Sequence, residues 1–346
     1  VPADRLGQVA VEAVLSRANL RPTDVGEVVF GNVAGQPDAS NLGRVIALRS
    51  GIPQDRIAHT VNRNCASGME SVFAAWQILN DLIVAGGTES MSNVPLLWNN
   101  QARDFFMDFR KAGFAGKVSM FLRRFRPSLL KPIAALELGL GDPTCGLNMG
   151  QTAEVLAKEF GVPRQAQDEF AVTSHQRAVA AWKRGFFADE VVPVPAVFTK
   201  GEAVTTDTGP RPGQTLDALA KLKPIFDRKA GSVTAGNSCP ITDGAAALVL
   251  THADKLAGRE PLGTIRGYAL VGCDPKRMGL GPVFAIHKLL RQTGATLADF
   301  DLIEINEAFA VQVLACKQAM GSAEFARREL NDDRPVGDLD LAKLNV

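Results

Sequence analysis

One stretch of the sequence has the makings of a nucleophile site: Val61-Asn62-Arg63-Asn64-Cys65-Ala66-Ser67-Gly68-Met69-Glu70-Ser71. Residues 56–61 predict a short buried strand. Residues 71–80 carry Val72, Phe73, Trp76 and Leu79 at helical spacing, which predicts a helix. Cys65 is therefore expected where a strand turns into a helix. Its neighbours Ala66, Ser67 and Gly68 are small, which lets a reactant approach closely. A helix N-terminus presents unpaired N–H groups and partial positive charge. A thiol in such a setting ionises more readily, and the thiolate is the nucleophile. The competing reading of a lone Cys is a small buried hydrophobe. The order strand, Cys, two small residues, Gly, helix favours the nucleophile.

The elements that must position this turn alternate along the chain. Residues 6–18 predict a helix, Leu20-Arg21-Pro22-Thr23-Asp24 a turn, and Val28-Val29-Phe30 a buried strand. A helix over 41–50 follows, ended by Gly51-Ile52-Pro53. After the Cys65 unit, Leu82-Ile83-Val84-Ala85 predicts another buried strand. It is expected to end in a tight turn at Gly86-Gly87, beside the nucleophile. Strands alternating with helices imply a largely parallel sheet covered on both faces. The pattern recurs: residues 15–31 run helix end, turn, Asp24, strand, and residues 290–306 do the same with Asp299 in the place of Asp24. The alternative to a true repeat is chance similarity between two αβ units.

Composition excludes several classes. The 346 residues suffice for two or three domains, and 46% hydrophobic with 22% charged residues is ordinary for a globular protein. Lys plus Arg is 38 against 37 Asp plus Glu, which gives no footprint for nucleic acid. The five cysteines (65, 145, 239, 273, 316) are far apart and odd in number, so a reducing compartment is expected, without a disulfide framework. The four histidines (59, 175, 252, 287) form no His-x-x-x-His pair, and no Cys-x-x-Cys occurs, so no metal site is expected. No apolar run reaches the length of a membrane span. The expected setting is cytoplasmic.

One segment departs from this balance. Residues 98–131 hold Phe105, Phe106, Phe109, Phe114, Phe121 and Phe125. The part from 101 onward carries eight Lys/Arg against Asp104 and Asp108. Basic residues interleaved with Phe, Leu and Met describe an amphipathic surface helix. Two readings stay open: peripheral contact of 101–131 with a membrane or partner, or a helix packed on its own protein with a solvated charged face. Residues 150–161, 164–182 and 186–187 predict a helical subdomain. Residues 191–224 predict a Pro- and Gly-punctuated loop, with about one helical turn at 216–221.

Asn64-Cys65-Ala66-Ser67-Gly68-Met69 resembles the nucleophile motif of the thiolases, the acetyl-CoA C-acyltransferases. Three further stretches agree, in the right order over nearly the whole chain. Val233-Thr234-Ala235-Gly236-Asn237-Ser238 with Thr242-Asp243-Gly244-Ala245-Ala246-Ala247 is similar to the mid-chain signature. Asn306-Glu307-Ala308-Phe309-Ala310 is similar to the Asn-Glu-Ala-Phe motif, and Asn148-Met149-Gly150-Gln151-Thr152-Ala153-Glu154 to the start of the substrate-loop helix. The resemblance implies an α/β fold of layered α-β-α-β-α architecture, made of two similar βαβ halves with an inserted, mostly helical loop domain. The implied division is 1–95 with 216–252, then 96–215 as the insertion, then 253–346 as an incomplete second half.

The implied activity is thiolytic cleavage of 3-oxoacyl-CoA by CoA, with Cys65 carrying the acyl group and Asn306 holding a water at an oxyanion site. Read from the residue alone, Asn306 could equally cap a strand end. The resemblance places Ala308 and Phe309 along the pantetheine tunnel, and Met149, Phe226, Ala235 and Cys239 against coenzyme A or substrate. Cys239 stands where many thiolases have Ser, and Asn148 where short-chain biosynthetic members often have His, which fits a degradative enzyme. No permanently bound cofactor is implied; coenzyme A and acyl-CoA are substrates. A homodimer is implied, with residues 86–91 near its interface, and the basic, Phe-rich segment is most similar to the β subunits of fatty-acid β-oxidation complexes, whose partner is a hydratase/dehydrogenase α subunit. The family's Gly-His-Pro, and the second, Cys-Gly, motif that follows it, have no counterpart after the Asn-Glu-Ala-Phe stretch, nor is the family's first strand matched. The expectation drawn from that is a chain truncated at both ends, with a non-catalytic acyl-CoA-binding or scaffold subunit as the alternative function.

Overall fold

Helix α1 (Ala3–Arg17) buries Leu6, Val11 and Leu15 along one face. Asn19, with a φ of 49°, then turns the chain out of the helix. A 3-10 turn (Pro22–Asp24) leads into β1 (Glu27–Gly31), whose Val28, Val29 and Phe30 are fully buried. Helix α2 (Leu42–Arg49), β2 (Ile57–Val61), α3 (Ser67–Ile78) and β3 (Ile83–Ser90) continue the alternation. The structure is a computed structural model and describes residues 1–78, 82–199 and 201–346. Leu79 and Asn80 of the predicted helix, and Lys200 of the predicted loop, lie outside the described residues. The helix itself starts at Ser67, four residues earlier than the apolar spacing alone indicates, because Ser67, Gly68 and Met69 contribute its first turn.

β1 pairs in parallel with β2 on one side and β3 on the other. Two short strands, β4 (Leu96–Leu97) and β5 (Ile133–Ala134), form a separate antiparallel ladder. The main sheet is completed by β6 (Asp243–Leu250), antiparallel to β3 from Ile83↔Leu250 to Ser90↔Asp243, giving the order β2-β1-β3-β6. Side chains alternate across this sheet. Val28, Phe30 and Val84 face α1 and α2, against Val11, Leu15, Leu42 and Ile46. Val29, Ile83 and Ala85 face α3, against Ala75 and Val72.

Gly86 and Gly87 are not a turn; they sit inside β3. A Cβ on Gly86 would overlap the Ala246 carbonyl oxygen and lie 2.6 Å from the Phe30 ring, and one on Gly87 would lie 3.1 Å from Gly68 Cα. The pair is glycine because a large ring and the first turn of α3 both press on the strand there, which tolerates the weaker strand propensity of glycine.

The basic, Phe-rich segment forms a helical hairpin rather than one helix. Helix α4 (Asn100–Lys111) is N-capped by Asn99, whose side chain accepts the Ala102 N–H at 2.8 Å; Ala112 and Gly113 take extended angles, and α5 (Phe114–Arg124) follows. The hairpin has its own small core of Ala102, Phe105 and Leu129, joined by Phe109, Met120 and Phe125. A short α6 (Ala135–Gly139) ends this region. No helix among the described residues is long and apolar enough to cross a membrane.

The chain forms two compact units, Val1–Gly141 with Thr242–Leu250, and Asp142–Ile241 with Thr251–Val346. The second is mainly helical. Asn148 caps α7 (Met149–Glu159) reciprocally: its side chain accepts the Gln151 N–H and Gln151 Oε1 accepts the Asn148 N–H, both at 2.9 Å. Helix α8 (Arg164–Lys183) starts after Pro163. The loop expected at 191–224 carries α9 (Ala196–Thr199) and, where one turn was predicted, α10 (Leu216–Ala220). Then come α11 (Gly281–Thr293), α12 (Ala310–Gly321), α13 (Ala323–Phe325) and a π turn over Ala326–Leu330. Leu156, Leu280, Val283, Val313, Met320, Leu339 and Leu344 make its largest core.

The internal repeat is visible in backbone detail. Asp24 Oδ2 accepts the Arg21 N–H at 2.8 Å, and Asp299 Oδ2 accepts the Thr296 N–H at 2.8 Å, each closing a 3-10 turn. Asn19 and Gly294, at matching positions before them, both have positive φ. The strand expected at the end of the second copy is reduced to a single parallel bridge, Ile303↔Leu344. Among the described residues, the backbone groups of Ile303 and Ile305 bond residues 343 and 345.

Candidate active site

Cys65 lies on the turn between β2 and α3, two residues before the helix begins, and is exposed. The turn is held by its own polar groups. Asn62 Oδ1 accepts the Asn64 N–H at 3.0 Å, and Asn64 takes a φ of 47°, a left-handed conformation that Asn tolerates. Ser67 Oγ accepts the Arg63 N–H at 2.8 Å and donates to the Asn64 carbonyl at 2.6 Å. Arg63 reaches across to Glu70 at 2.6 Å. Below the turn, a Cβ on Gly31 would overlap the backbone of Ser67. So β1 ends in glycine where the helix that follows the thiol rests on it.

The first-strand side of the turn has a second anchor. Glu89, at the end of β3, accepts the Val33 N–H at 2.9 Å and the Ala34 N–H at 3.2 Å. Asn32 donates to Thr88 O at 2.9 Å and Glu89 Oε1 at 3.2 Å, and its own N–H bonds Val61 O at 3.1 Å. This ties the loop after β1 to the end of the strand that leads to Cys65.

The other predicted site residues belong to the second unit. Residues 303–310 run extended into α12, and Asn306 is exposed there. The Ser238–Phe309 bridge, the Cys239 N–H on Ala308 O and the Ala310 N–H on Asn237 O, both at 3.0 Å, lay the 232–239 loop along it. Ala235 and Cys239 are exposed on that loop. Phe226 and Phe309 meet edge to face with centroids 6.2 Å apart. A Cβ on Gly150 would overlap the Phe226 ring, so Phe226 lies against the first turn of α7, next to Met149. Met149, Phe226 and Phe309 are half-buried. The structure thus brings Phe226 and Phe309 together beside the start of α7, and sets Ala235, Cys239 and Ala308 on two adjoining backbone runs.

Several residues that hold these groups carried no functional weight in the sequence. Glu154, buried in α7, accepts the N–H groups of Ser232 (3.0 Å) and Val233 (2.9 Å), which fixes the start of the 232–239 loop. Asn237, also buried, donates to Asp168 at 2.9 Å and accepts the Thr234 N–H at 2.8 Å, while Arg164 clamps Asp168 at 2.8 Å. Glu154 and Asn237 stand inside quoted motifs, which is the signal that could have found them; Asp168 had none.

Two further thiols and three of the histidines have identifiable surroundings. Cys316 is fully buried, donates to the Gly279 carbonyl at 3.1 Å, and burial pushes its thiol up to about 12. Burial first, and then the nearby Asp274 charge, raise the Cys273 thiol. His59 lies 3.4 Å from Glu27 and His287 lies 3.1 Å from Asp332. His175 accepts the Arg211 N–H at 3.3 Å, and its burial and the Arg211 charge lower its proton affinity. Among the described residues, no group of three or more His, Cys, Asp or Glu could hold a metal ion.

Residues 1–254 match the thiolase N-terminal domain and residues 259–346 the thiolase C-terminal domain. The chain is 37% identical, over an alignment of 353 residues covering all of it and 80% of the relative, to a protein named 3-ketoacyl-CoA thiolase from Yersinia enterocolitica. It superposes on the acetyl-CoA acetyltransferase of Bacillus anthracis with a TM-score of 0.84 at 33% identity, covering 100% of this chain and 80% of the other. Human mitochondrial 3-ketoacyl-CoA thiolase in complex with CoA gives 0.82 at 34% identity, covering 99% and 79%. The chain has the thiolase fold and belongs to the thiolase family.

Proposed function

We propose that the protein is a degradative thiolase that cleaves 3-oxoacyl-CoA with CoA, through an acyl group carried on Cys65. The observation that carries this reading is the exposed thiol two residues ahead of α3, on a turn whose backbone is fixed by Asn62, Ser67 and Gly31. Cys65 Sγ attacks the C3 carbonyl. The C2–C3 bond breaks and its electron pair leaves on acetyl-CoA as the enolate, which takes a proton at C2. The thiol of free CoA then gives up its proton and attacks the Cys65 thioester, releasing an acyl-CoA two carbons shorter and restoring the thiolate. Asn306, through a water, stabilises a developing oxyanion. Met149, Phe226, Ala235, Cys239, Ala308 and Phe309 hold the CoA and acyl portions, with coenzyme A entering as substrate. The division into 1–95 with 216–252, 96–215 and 253–346 belongs to the same reading. The test is loss of 3-oxoacyl-CoA with matched formation of acetyl-CoA by the full-length protein. Acyl-CoA binding without turnover would instead mark a binding or scaffold subunit.

The same reading includes a homodimer with residues 86–91 near its interface, to be checked by sedimentation at micromolar concentration. A hydratase/dehydrogenase α subunit is proposed as a further partner, detectable by co-purification. Residues 101–131 are proposed to make peripheral membrane contact. Phe105, Phe109 and Phe125 are used in the hairpin's own core. Phe114 (84% exposed), Val118, Phe121 and Leu122 (74%) remain on α5 at a spacing that puts them on one side of the helix. Asp104 and Asp108 are paired with Arg103 (2.8 Å) and Arg124 (3.0 Å), so the other cations dominate the surface. Each contributes about 1 kcal/mol near an anionic leaflet, enough for reversible, salt-sensitive binding. Flotation with anionic vesicles at low salt, abolished by replacing Arg123, Arg124 and Arg126 with Glu, supports this; protein that stays in solution at low salt rejects it.

A further inference from the structure

We infer that Glu307 and Asn345 are positioning residues that aim Asn306, an assignment that rests on the proposed oxyanion role of Asn306. The side-chain amide of Asn345 copies a strand partner. Its Oδ1 accepts the Ile305 N–H at 3.0 Å and its Nδ2 donates to the Ile305 carbonyl at 2.9 Å. The same Nδ2 donates to Glu307 Oε1 at 2.7 Å, and Glu307 Oε2 accepts the Ser174 hydroxyl of α8 at 2.6 Å. Asn345 is itself fixed: it has a φ of 51°, and its N–H bonds the Ile303 carbonyl at 2.9 Å. Arg177 of α8 holds the carbonyl of Leu344 at 2.6 Å.

The residues on both sides of Asn306 are therefore pinned by side chains, whereas Asn306 itself is exposed and its side chain has no hydrogen-bond partner among the described residues. The backbone on each side fixes where its Cβ points, and the amide is left uncommitted. A backbone fixed on each side limits the reorganisation left to the Asn306 side chain when charge develops. Glu307 is not offered as a proton carrier, since both of its oxygens are already taken by Ser174 and Asn345.

The test measures kcat and KM for thiolysis by the full-length protein, with thermal midpoints as a control. Asn306→Ala is expected to lower kcat about 100-fold, the order seen when one oxyanion donor is removed. Asn345→Ala and Glu307→Ala are each expected to lower kcat about tenfold with KM changed less than about twofold, the signature of an interaction made only in the transition state. Added to Asn306→Ala, either should cost less than about a further twofold, because residues acting as a unit are not additive. Glu307→Gln keeps an acceptor for Asn345 and a group for Ser174, so it should restore most of what Glu307→Ala loses. Multiplicative losses in the double variants, or Glu307→Gln as damaging as Glu307→Ala, would overturn the inference while leaving Asn306 in place. So would wild-type kcat in both Asn345→Ala and Glu307→Ala. Wild-type kcat in Asn306→Ala would overturn both the inference and the site reading beneath it. Should Asn345→Ala fail to fold, the Glu307 pair of variants decides alone.

Discussion

The helix-to-strand passage at residues 15–31 and its counterpart at 290–306 begin in the same way. Each helix stops at a residue of positive φ, Asn19 or Gly294, and each 3-10 turn is closed by an aspartate, Asp24 or Asp299. They end differently. Residues 27–31 lie between β2 and β3 and become a fully laddered strand, whose last residue is a glycine on which α3 rests. Among the described residues, the backbone of residues 303–305 bonds the 343–345 run, where the Asn345 side chain bonds both backbone groups of Ile305. Local sequence determines the turn in both copies. In the first copy Gly31 leaves room for the first turn of the helix that follows Cys65. In the second a polar side chain is presented instead.

That contrast can be broken by substitution. The largest effect belongs to the thiol at the first copy's end: Cys65→Ser should lower turnover by about 10³-fold or more, since a hydroxyl without a matched base is a far poorer nucleophile, and steady-state thiolysis measures it. Gly31→Ala comes next. Its Cβ would overlap the backbone of Ser67, so α3 must shift; overpacking of this kind costs about 1–3 kcal/mol, readable by urea denaturation, and activity should fall with it. Asn306→Ala, at the matching position of the second copy, should leave the urea midpoint unchanged while activity falls. Equal loss of stability at the two positions would erase the distinction.

The smallest expected effect tests what the copies share. Hydrogen bonds from the Thr296 backbone N–H and hydroxyl hold the Asp299 carboxyl below its usual range. A depressed carboxyl stabilises the fold above its unfolded value near about 3.9, and that contribution is lost as pH falls through the lower folded value. Asp299→Asn should therefore lower the thermal midpoint modestly at pH 7, with the gap to the parent closing below about pH 4. A gap that widens on acidification would contradict the capping role.

Much of the first site was legible because it is local. Apolar spacing placed the thiol on a strand-to-helix turn, with the helix start four residues too late, and the aspartates of the repeat were visible as a pattern. What was not legible depends on neighbours distant in sequence. Gly86 and Gly87 have the look of a turn until Phe30, Ala246 and Gly68 are seen pressing on them. The six phenylalanines of 98–131 look alike in sequence; only the fold of α4 against α5 separates those that fill a core from those on the surface. Asn345 carries no local signal at all, because its partners Ile305 and Glu307 lie 40 and 38 residues earlier.

The central claim is that Cys65 carries the acyl group, and peptide mass mapping after incubation of the full-length protein with acetyl-CoA tests it most directly. The account predicts an acetyl group on the peptide containing Cys65 and none on Cys316, whose thiol is buried and pushed up to about 12. Acetyl on Cys239 or Cys316, with Cys65 unmodified, would contradict it.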